Sequence, residues 1–254
     1  MIKSINTLFV GKVLHEFEAL ASTNQFATKL LKESAPAEGT VIITHDQYAG
    51  KGQANNKWES APHQNLTFTT ILYPKFLPAR KQFLLNQVIS LSVFDTLRKY
   101  IEKGLAIKWP NDIYVFDKKI TGILIQNSLQ GSTLQSTIIG IGLNVNQKQF
   151  ISDAPNPTSM ALETGKTLDL EMVFTTFCQQ LEQNYLQLKA NQIETIQARY
   201  LSHLFRFKES AFYRRLDGTI FKGQIKGVTD IGKLIIQTVN GEETFAFKEV
   251  KYIL

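Results

Sequence analysis

The sequence predicts an α/β fold, a central sheet with helices packed on it, followed by a small β-barrel at the C-terminal end. Three observations carry this. Apolar runs of strand length alternate with stretches of helical periodicity as far as residue 205. The texture then changes at Phe207 to short strands parted by turns. Polar, glycine- and lysine-bearing segments fall at the ends of the apolar strands, where a sheet presents its chemistry.

Composition narrows the class. The 254 residues are 43% hydrophobic and 20% charged, ordinary for a globular protein able to bury a core. The one cysteine, Cys178, lies in the apolar run MVFTTFCQQL and reads as a small core residue, which excludes an internal disulfide framework. Four histidines (His15, His45, His63, His203) lack metal-ligand spacing, so no structural metal is expected. The N-terminus MIKSINTLFVGK is too polar for a signal peptide, and no run approaches the ~20 apolar residues of a membrane span. A cytoplasmic location without membrane contact is therefore expected. A net charge of +6 and a pI near 9.2 suit acidic partners. The cations are dispersed, with no basic helix of base-reading side chains, so nucleic-acid binding is not expected.

In chain order, residues 8–20 alternate as a strand and lead into Ser22, Thr23 and Asn24, favoured N-cap types before a helix at 25–32. By itself this triplet is a helix cap. Pro36 and Gly39 break the helix, and 40–44 (TVIIT) reads as a buried strand. The loop HDQYAGKGQANNKW at 45–58 follows. Gly50 and Gly52 can bring backbone N–H groups close to an anion, Lys51 offers a cation and Trp58 an aromatic face, which suits a phosphate and a base. Alone, the loop reads equally as a polar surface loop.

Residues 65–73 (NLTFTTILY) predict a strand. Pro78 opens a long core-facing helix that Gly104 ends. Strands are expected at 105–108, 113–116 and 120–126, the last two joined by a turn at 117–119. A further strand at 137–146 carries Gly140 and Gly142 on one face, a mark of close approach by a ligand or another backbone. Residues 157–205 read as helices broken near Gly165 and Asn191. From 207 onward, Asp217-Gly218 and Asn240-Gly241 are hairpin signals within the terminal barrel.

Two glycine-bearing segments, lysines, an aspartate and a tryptophan are what activation of a carboxylate by ATP requires. Lysines neutralise charge that builds between carboxylate and α-phosphate, Asp112 can hold Mg²⁺ or orient a lysine, and an indole can stack on adenine. The chain has neither a GxxxxGK[ST] nor a GxGxxG signature.

STN at 22–24, QYAGKGQANNKW at 47–58, KWPNDIYV at 108–115, KKITGILIQ at 118–126 and IGIGLNVN at 139–146 together resemble, in order and spacing, the motif series of the biotin protein ligases. The likeness covers essentially the whole chain. It implies a mixed, largely antiparallel sheet like the class II aminoacyl-tRNA synthetase core over 1–206, and an SH3-like barrel over 207–254. It also implies a two-step reaction: biotin and MgATP give biotinyl-5′-adenylate, then a lysine of a biotin carboxyl carrier domain of a carboxylase takes the biotin. By that resemblance Ser22, Thr23, Asn24, Gln47, Lys51, Gly52, Gln53, Lys119 and Gly122 bind biotin. Gly50, Lys51, Trp58, Asn111 and Asn144 bind ATP or the adenylate, and Lys119, Asp112 and Lys108 are catalytic, with Asp112 nearest any Mg²⁺. The family loop reads GRGRxxR, whereas this chain has Gly50-Lys51-Gly52-Gln53-Ala54-Asn55-Asn56, so fewer ionic contacts to the adenylate are expected.

Only about 20 residues precede Ser22, so the winged helix of larger relatives, and direct DNA binding with it, is not expected. A monomer or a homodimer is expected, with 136–146 as an edge strand able to pair across a two-fold. Two alternatives stand beside this reading. A lipoate or octanoate ligase or transferase of the same fold would lack polar partners for a ureido ring, against Ser22, Thr23 and Gln47. A non-catalytic biotin-binding module would have no need of Lys119 and Asp112.

Overall fold

A computed structural model describes residues 5–52, 57–151 and 156–253. The larger sheet has seven strands: β1 (Leu14–Leu20), β2 (Val41–Gln47), β3 (Leu66–Leu72), β4 (Leu105–Lys108), β5 (Asp112–Val115), β6 (Lys118–Gln130) and β7 (Thr133–Leu143). Their order is β1-β2-β3-β7-β6-β5-β4; β1 and β2 run parallel and every other neighbour antiparallel. The mixed, largely antiparallel sheet is thus present.

Helix α1 (Thr23–Glu33) covers one face, and α2 (Phe83–Arg98) and α4 (Leu170–Lys189) lie on the other; α3 (Met160–Thr164) and α5 (Ile193–Ser202) complete the set. Under α1, a small cluster of Ala27, Ile42, Ile71 and Ile138 is buried. The main core lies between the opposite face and α2, which is apolar on almost every side: Leu85, Val88, Ile89, Leu91 and Leu97 have no accessible surface. Each such side chain contributes ~2 kcal/mol relative to an exposed one. The hydroxyls of Ser90, Ser92 and Thr96 donate 2.7 Å bonds to carbonyls one turn back, which makes their burial tolerable.

The second sheet, β8 (Ser210–Arg215), β9 (Ile220–Val228), β10 (Leu234–Thr238), β11 (Gly241–Phe245) and β12 (Val250–Tyr252), is antiparallel in the order β11-β10-β9-β8-β12. It joins the main body through the Trp109 indole N–H, which donates to the Gly232 carbonyl at 3.0 Å.

Several expected elements differ. The first strand starts only at Leu14, because the Glu182 carboxylate accepts the backbone N–H groups of Leu8, Phe9 and Val10 at 2.7–3.2 Å and Gly11 turns with φ +76°. Pro78 is followed by one 3-10 turn, Ala79–Lys81, before α2, and α2 stops at Arg98 rather than at Gly104. The turn after β5 is Phe116-Asp117, with Phe116 at φ +54°, so Lys119 stands inside β6. The proposed edge strand at 136–146 is no edge: β7 is paired on both sides, to β3 and to β6, and its residues 136–143 are buried. The outermost strands are β1 and β4. In addition, β5 pairs only with residues 118–121 of β6, so beyond Thr121 no described strand lies on the side of β6 away from β7.

Candidate active site

The site is built on the α1 face of the larger sheet. Gly142 of β7 stands opposite Gly122 of β6, and Gly140 opposite Thr69 of β3. These glycines form a floor that a side chain would fill. A Cβ on Gly142 would lie 2.2 Å from the Trp58 indole, one on Gly122 2.7 Å from the same ring, and one on Gly140 2.2 Å from Asn24 Oδ1. The close approach expected of Gly140 and Gly142 is therefore made by Asn24 and Trp58.

The N-terminus of α1 stands at one end of this floor. Ser22 caps the helix, its hydroxyl accepting from Gln25 N–H at 3.5 Å. Thr23 donates to Gln47 Oε1 from its backbone N–H (2.9 Å) and its hydroxyl (3.3 Å), joining the helix to the end of β2. Thr69 Oγ1 lies 2.8 Å from Thr23 Oγ1 and 2.6 Å from Asn24 Oδ1. Asn24 Nδ2 is buried without a hydrogen-bond partner. Ser22, Thr23 and Asn24 are thus both a helix cap and a buried polar cluster, and Thr69 belongs with them. Sequence reasoning missed Thr69, whose place opposite Gly140 follows from the pairing of β3 with β7 and from no local pattern.

The loop after β2 closes on itself: Trp58 N–H donates to the Gly50 carbonyl at 3.1 Å, and Lys51 and Lys57 form an isolated bridge. Gly50 has no room for a side chain, since its Cβ would lie 2.7 Å from Trp58 O and 2.8 Å from Gln47 Nε2. Lys51 is exposed and Gly52 half-exposed. Gln53, with Ala54, Asn55 and Asn56, lies outside the described residues. The Trp58 Nε1 proton is buried without a partner.

At the other end stand the charged groups. Lys119 Nζ makes a 2.6 Å ion pair with Asp112 Oδ2, each side chain about a quarter exposed at 27% and 26%. Strand alternation slips here: Lys119 pairs with Tyr114 and Thr121 with Ile113, leaving Ile120 as an extra residue. The slip sends Ile120 into the core while Gly122 stays under Trp58. Lys108, opposite Asp112 in the β4-β5 hairpin, donates to the Tyr114 hydroxyl at 3.0 Å and lies 5.3 Å from the Tyr252 ring. Burial holds its ammonium below the usual lysine range; Asp112 opposes that shift, and Lys119 and Arg206 add to it.

Asn111 is buried beside Asp112. Asn144 donates from Nδ2 to the Thr158 carbonyl at 2.9 Å, while its buried Oδ1 has no partner. Among the described residues, no group of three or more His, Cys, Asp or Glu could hold a metal ion. The face thus brings together Ser22, Thr23, Asn24, Gln47, Gly50, Trp58 and Gly122, with Lys119 and Asp112 on the next hairpin. Lys108 is drawn toward Tyr114 and Tyr252.

The model of the Biotin/lipoate A/B protein ligase family matches residues 16–144. A Bifunctional ligase/repressor BirA of Bacillus subtilis is 29% identical over 242 residues, 93% of this chain and 73% of that protein. A Biotin--[acetyl-CoA-carboxylase] ligase of Paracoccus denitrificans is 28% identical over 91% of this chain and 98% of its own length. Among solved structures, biotin protein ligase from Aquifex aeolicus in complex with biotin and ATP superposes with a TM-score of 0.78 at 26% identity, covering 95% of this chain and all of that one.

Proposed function

The chain belongs to the biotin/lipoate A/B protein ligase family, and from that premise we infer how its own residues carry out ligation. It is an ATP-dependent biotin ligase, an enzyme that binds biotin and ATP. The observation that carries the residue assignment is the Lys119–Asp112 pair at the rim of a glycine floor that holds an indole.

In the first step a carboxylate oxygen of biotin attacks the α-phosphorus, a new O–P bond forms, and the bond to the β-phosphate oxygen breaks to release pyrophosphate. Lys119 meets the charge that builds on the reacting oxygens, and Asp112 fixes the position of its ammonium. In the second step a lysine amine attacks the acyl carbon, AMP leaves with the bonding pair, and the nitrogen loses a proton. Asn24 and Gln47, with Ser22 and Thr23, supply the polar groups for the ureido ring; the unpartnered Asn24 Nδ2 fits the ureido oxygen. The free face of Trp58 stacks on adenine, and Asn144 Oδ1 accepts from the adenine amino group. Gly50 to Gly52 offer backbone N–H groups to the phosphates, with Lys51 as the nearby cation, and Asn111 stands on the phosphate side with Lys108. Asp112 is the one carboxylate assigned to this site, and an Mg²⁺ ion held mainly by phosphates and water requires no more.

The acceptor is a biotin carboxyl carrier domain of a carboxylase, and the setting is the cytoplasm, in keeping with described helices none of which is long and apolar enough to cross a membrane. We place the boundary of the catalytic unit at 206/207, supported by the bridge from Phe207 to Ile225 of the second sheet. A homodimer would pair along the side of β6 that no described strand covers beyond Thr121. Exchange of labelled pyrophosphate into ATP tests this reading. Exchange is expected with biotin, not with lipoate, and is expected to vanish in Lys119→Ala; exchange that depends on lipoate alone would overturn it.

A further inference from the structure

Trp58 and Asn144 reach the glycine floor on separate segments. Trp58 ends the loop after β2, whereas Asn144 stands two residues beyond Gly142, the glycine beneath the indole. The Nδ2 of Asn144 is committed to the Thr158 carbonyl, so its buried Oδ1 can only accept. A stacking face and an edge acceptor on two segments read one base together only while the segments keep a fixed spacing.

That spacing is carried by one buried amide. Gln147 is 2% exposed, and both of its donors and both of its acceptor positions are used. Its Oε1 accepts from the Ala61 N–H at 3.0 Å and from Asn65 Nδ2 at 2.5 Å. Its Nε2 donates to Glu59 Oε1 at 3.0 Å and to the Gln149 carbonyl at 2.8 Å. Glu59 directly follows Trp58, and its carboxylate also accepts the Ile151 N–H at 3.0 and 3.2 Å. Asn65 in turn accepts the N–H of Val145, the residue after Asn144, at 2.9 Å. The segments 58–61 and 144–151 are thus joined through the same side chain. An amide with all four positions satisfied resists displacement, because losing any partner leaves a desolvated polar atom. The bonds of Thr23, Asn24 and Gln47 run instead to Thr69 and to one another, so the opposite end of the floor is held separately.

We propose that Gln147, acting through Glu59, is a positioning residue for base recognition: it fixes the Trp58 ring against Asn144 Oδ1, so that the site selects adenine over guanine. The proposal rests on the ligase reading above and on its placing of adenine at Trp58 and Asn144. Adenine offers its amino group to Asn144 Oδ1, whereas guanine turns a carbonyl oxygen toward an atom that cannot donate. That discrimination holds only while the two segments cannot drift apart.

Biotin-dependent pyrophosphate exchange in Gln147→Glu, Glu59→Ala and the double variant Glu59→Gln/Gln147→Glu tests this. Gln147→Glu keeps an acceptor for Ala61 and Asn65 but sets a carboxylate against Glu59. Its KM for ATP is expected to rise about tenfold, the size of coupling measured for residues in one hydrogen-bond network, with KM for biotin unchanged. Its preference for ATP over GTP is expected to shrink by a similar factor. In the double variant an amide again donates to a carboxylate, and KM for ATP is expected to return to within about threefold of the parent value. Glu59→Ala removes only a half-buried side chain, so it is expected to fold and to raise KM for ATP in the same direction. Equal rises in both KM values, or a double variant no better than Gln147→Glu alone, would overturn the positioning role. So would an unchanged KM for ATP in Gln147→Glu and Glu59→Ala while Trp58→Ala raises it. If Trp58→Ala itself leaves KM for ATP unchanged, the placing of adenine is overturned and the proposal with it. Absence of biotin-dependent exchange in the parent chain would overturn the ligase reading.

Discussion

At the residue scale the proposed site depends on a few polar atoms, and the roles assigned to them follow from what they do and do not touch. Lys119 is held 2.6 Å from Asp112 but stays a quarter exposed, so its ammonium can reach a ligand. Lys119→Ala is expected to lower exchange at least 10²-fold, in the range seen on removing one charge-stabilising donor, while calorimetry still records biotin binding. Thr69 has no accessible surface and no expected ligand contact, yet it orients Asn24. Thr69→Val is expected to raise KM for biotin more than KM for ATP, and Thr69→Ser to restore it; equal effects on both substrates would contradict the role. Lys108 costs stability where it stands, because a lysine whose pKa is lowered by folding is penalised while charged, below that pKa. The cost fades as pH rises from the folded value toward the ordinary lysine range. Lys108→Met is therefore expected to melt higher than the parent chain at neutral pH, with the difference shrinking as pH rises, and to ligate more slowly. Sequence reading singled out Lys119, Asp112 and Ser22 to Asn24 because their motifs are local. It missed Thr69 because a threonine in an alternating strand carries no local mark of its partner.

At the element scale, the glycines of β6 and β7 shape the floor and Trp58 fills it. A Cβ on Gly142 would lie 2.2 Å from the indole, and neither a central strand nor its neighbours can yield that much. Gly142→Ala is therefore expected to displace Trp58 and to raise KM for ATP about as much as Trp58→Ala does, at a folding cost of about 1–3 kcal/mol; steady-state kinetics and thermal melting check both. Most strands and helices were legible from periodicity, with boundaries close to those found at 41–47, 66–72 and 105–108. What escaped was set by distant groups: the Glu182 carboxylate that holds residues 8–10 out of the first strand and delays its start to Leu14, and the extra residue Ile120 that re-phases β6. The edge was misplaced for a similar reason, since strand order is decided by pairing across the chain and not by local pattern. A run such as TIIGIGLNVN reads the same at the rim of a sheet as at its centre.

At the scale of the molecule, one body carries the floor and the charged hairpin, and the second sheet is fastened beside them. Trp109, buried and next to the cluster, donates to Gly232 and packs on Phe247. Trp109→Phe gives up a hydrogen bond worth ~1 kcal/mol, which for a chain of this size is expected to lower Tm by about 2–4 °C. The change of texture at Phe207 foretold a separate β unit, whereas the way its inner face meets Lys108 through Tyr252 depends on packing that no local pattern records. The whole arrangement stands or falls on the intermediate, and rapid-quench analysis of a single turnover tests it most directly. With biotin and MgATP alone, biotinyl-5′-adenylate is expected to accumulate to about one equivalent per site, and added carrier domain is expected to consume it as one lysine gains biotin. Biotin appearing on the carrier without an adenylate before it, or without ATP, would contradict the assignment of this face to carboxylate activation.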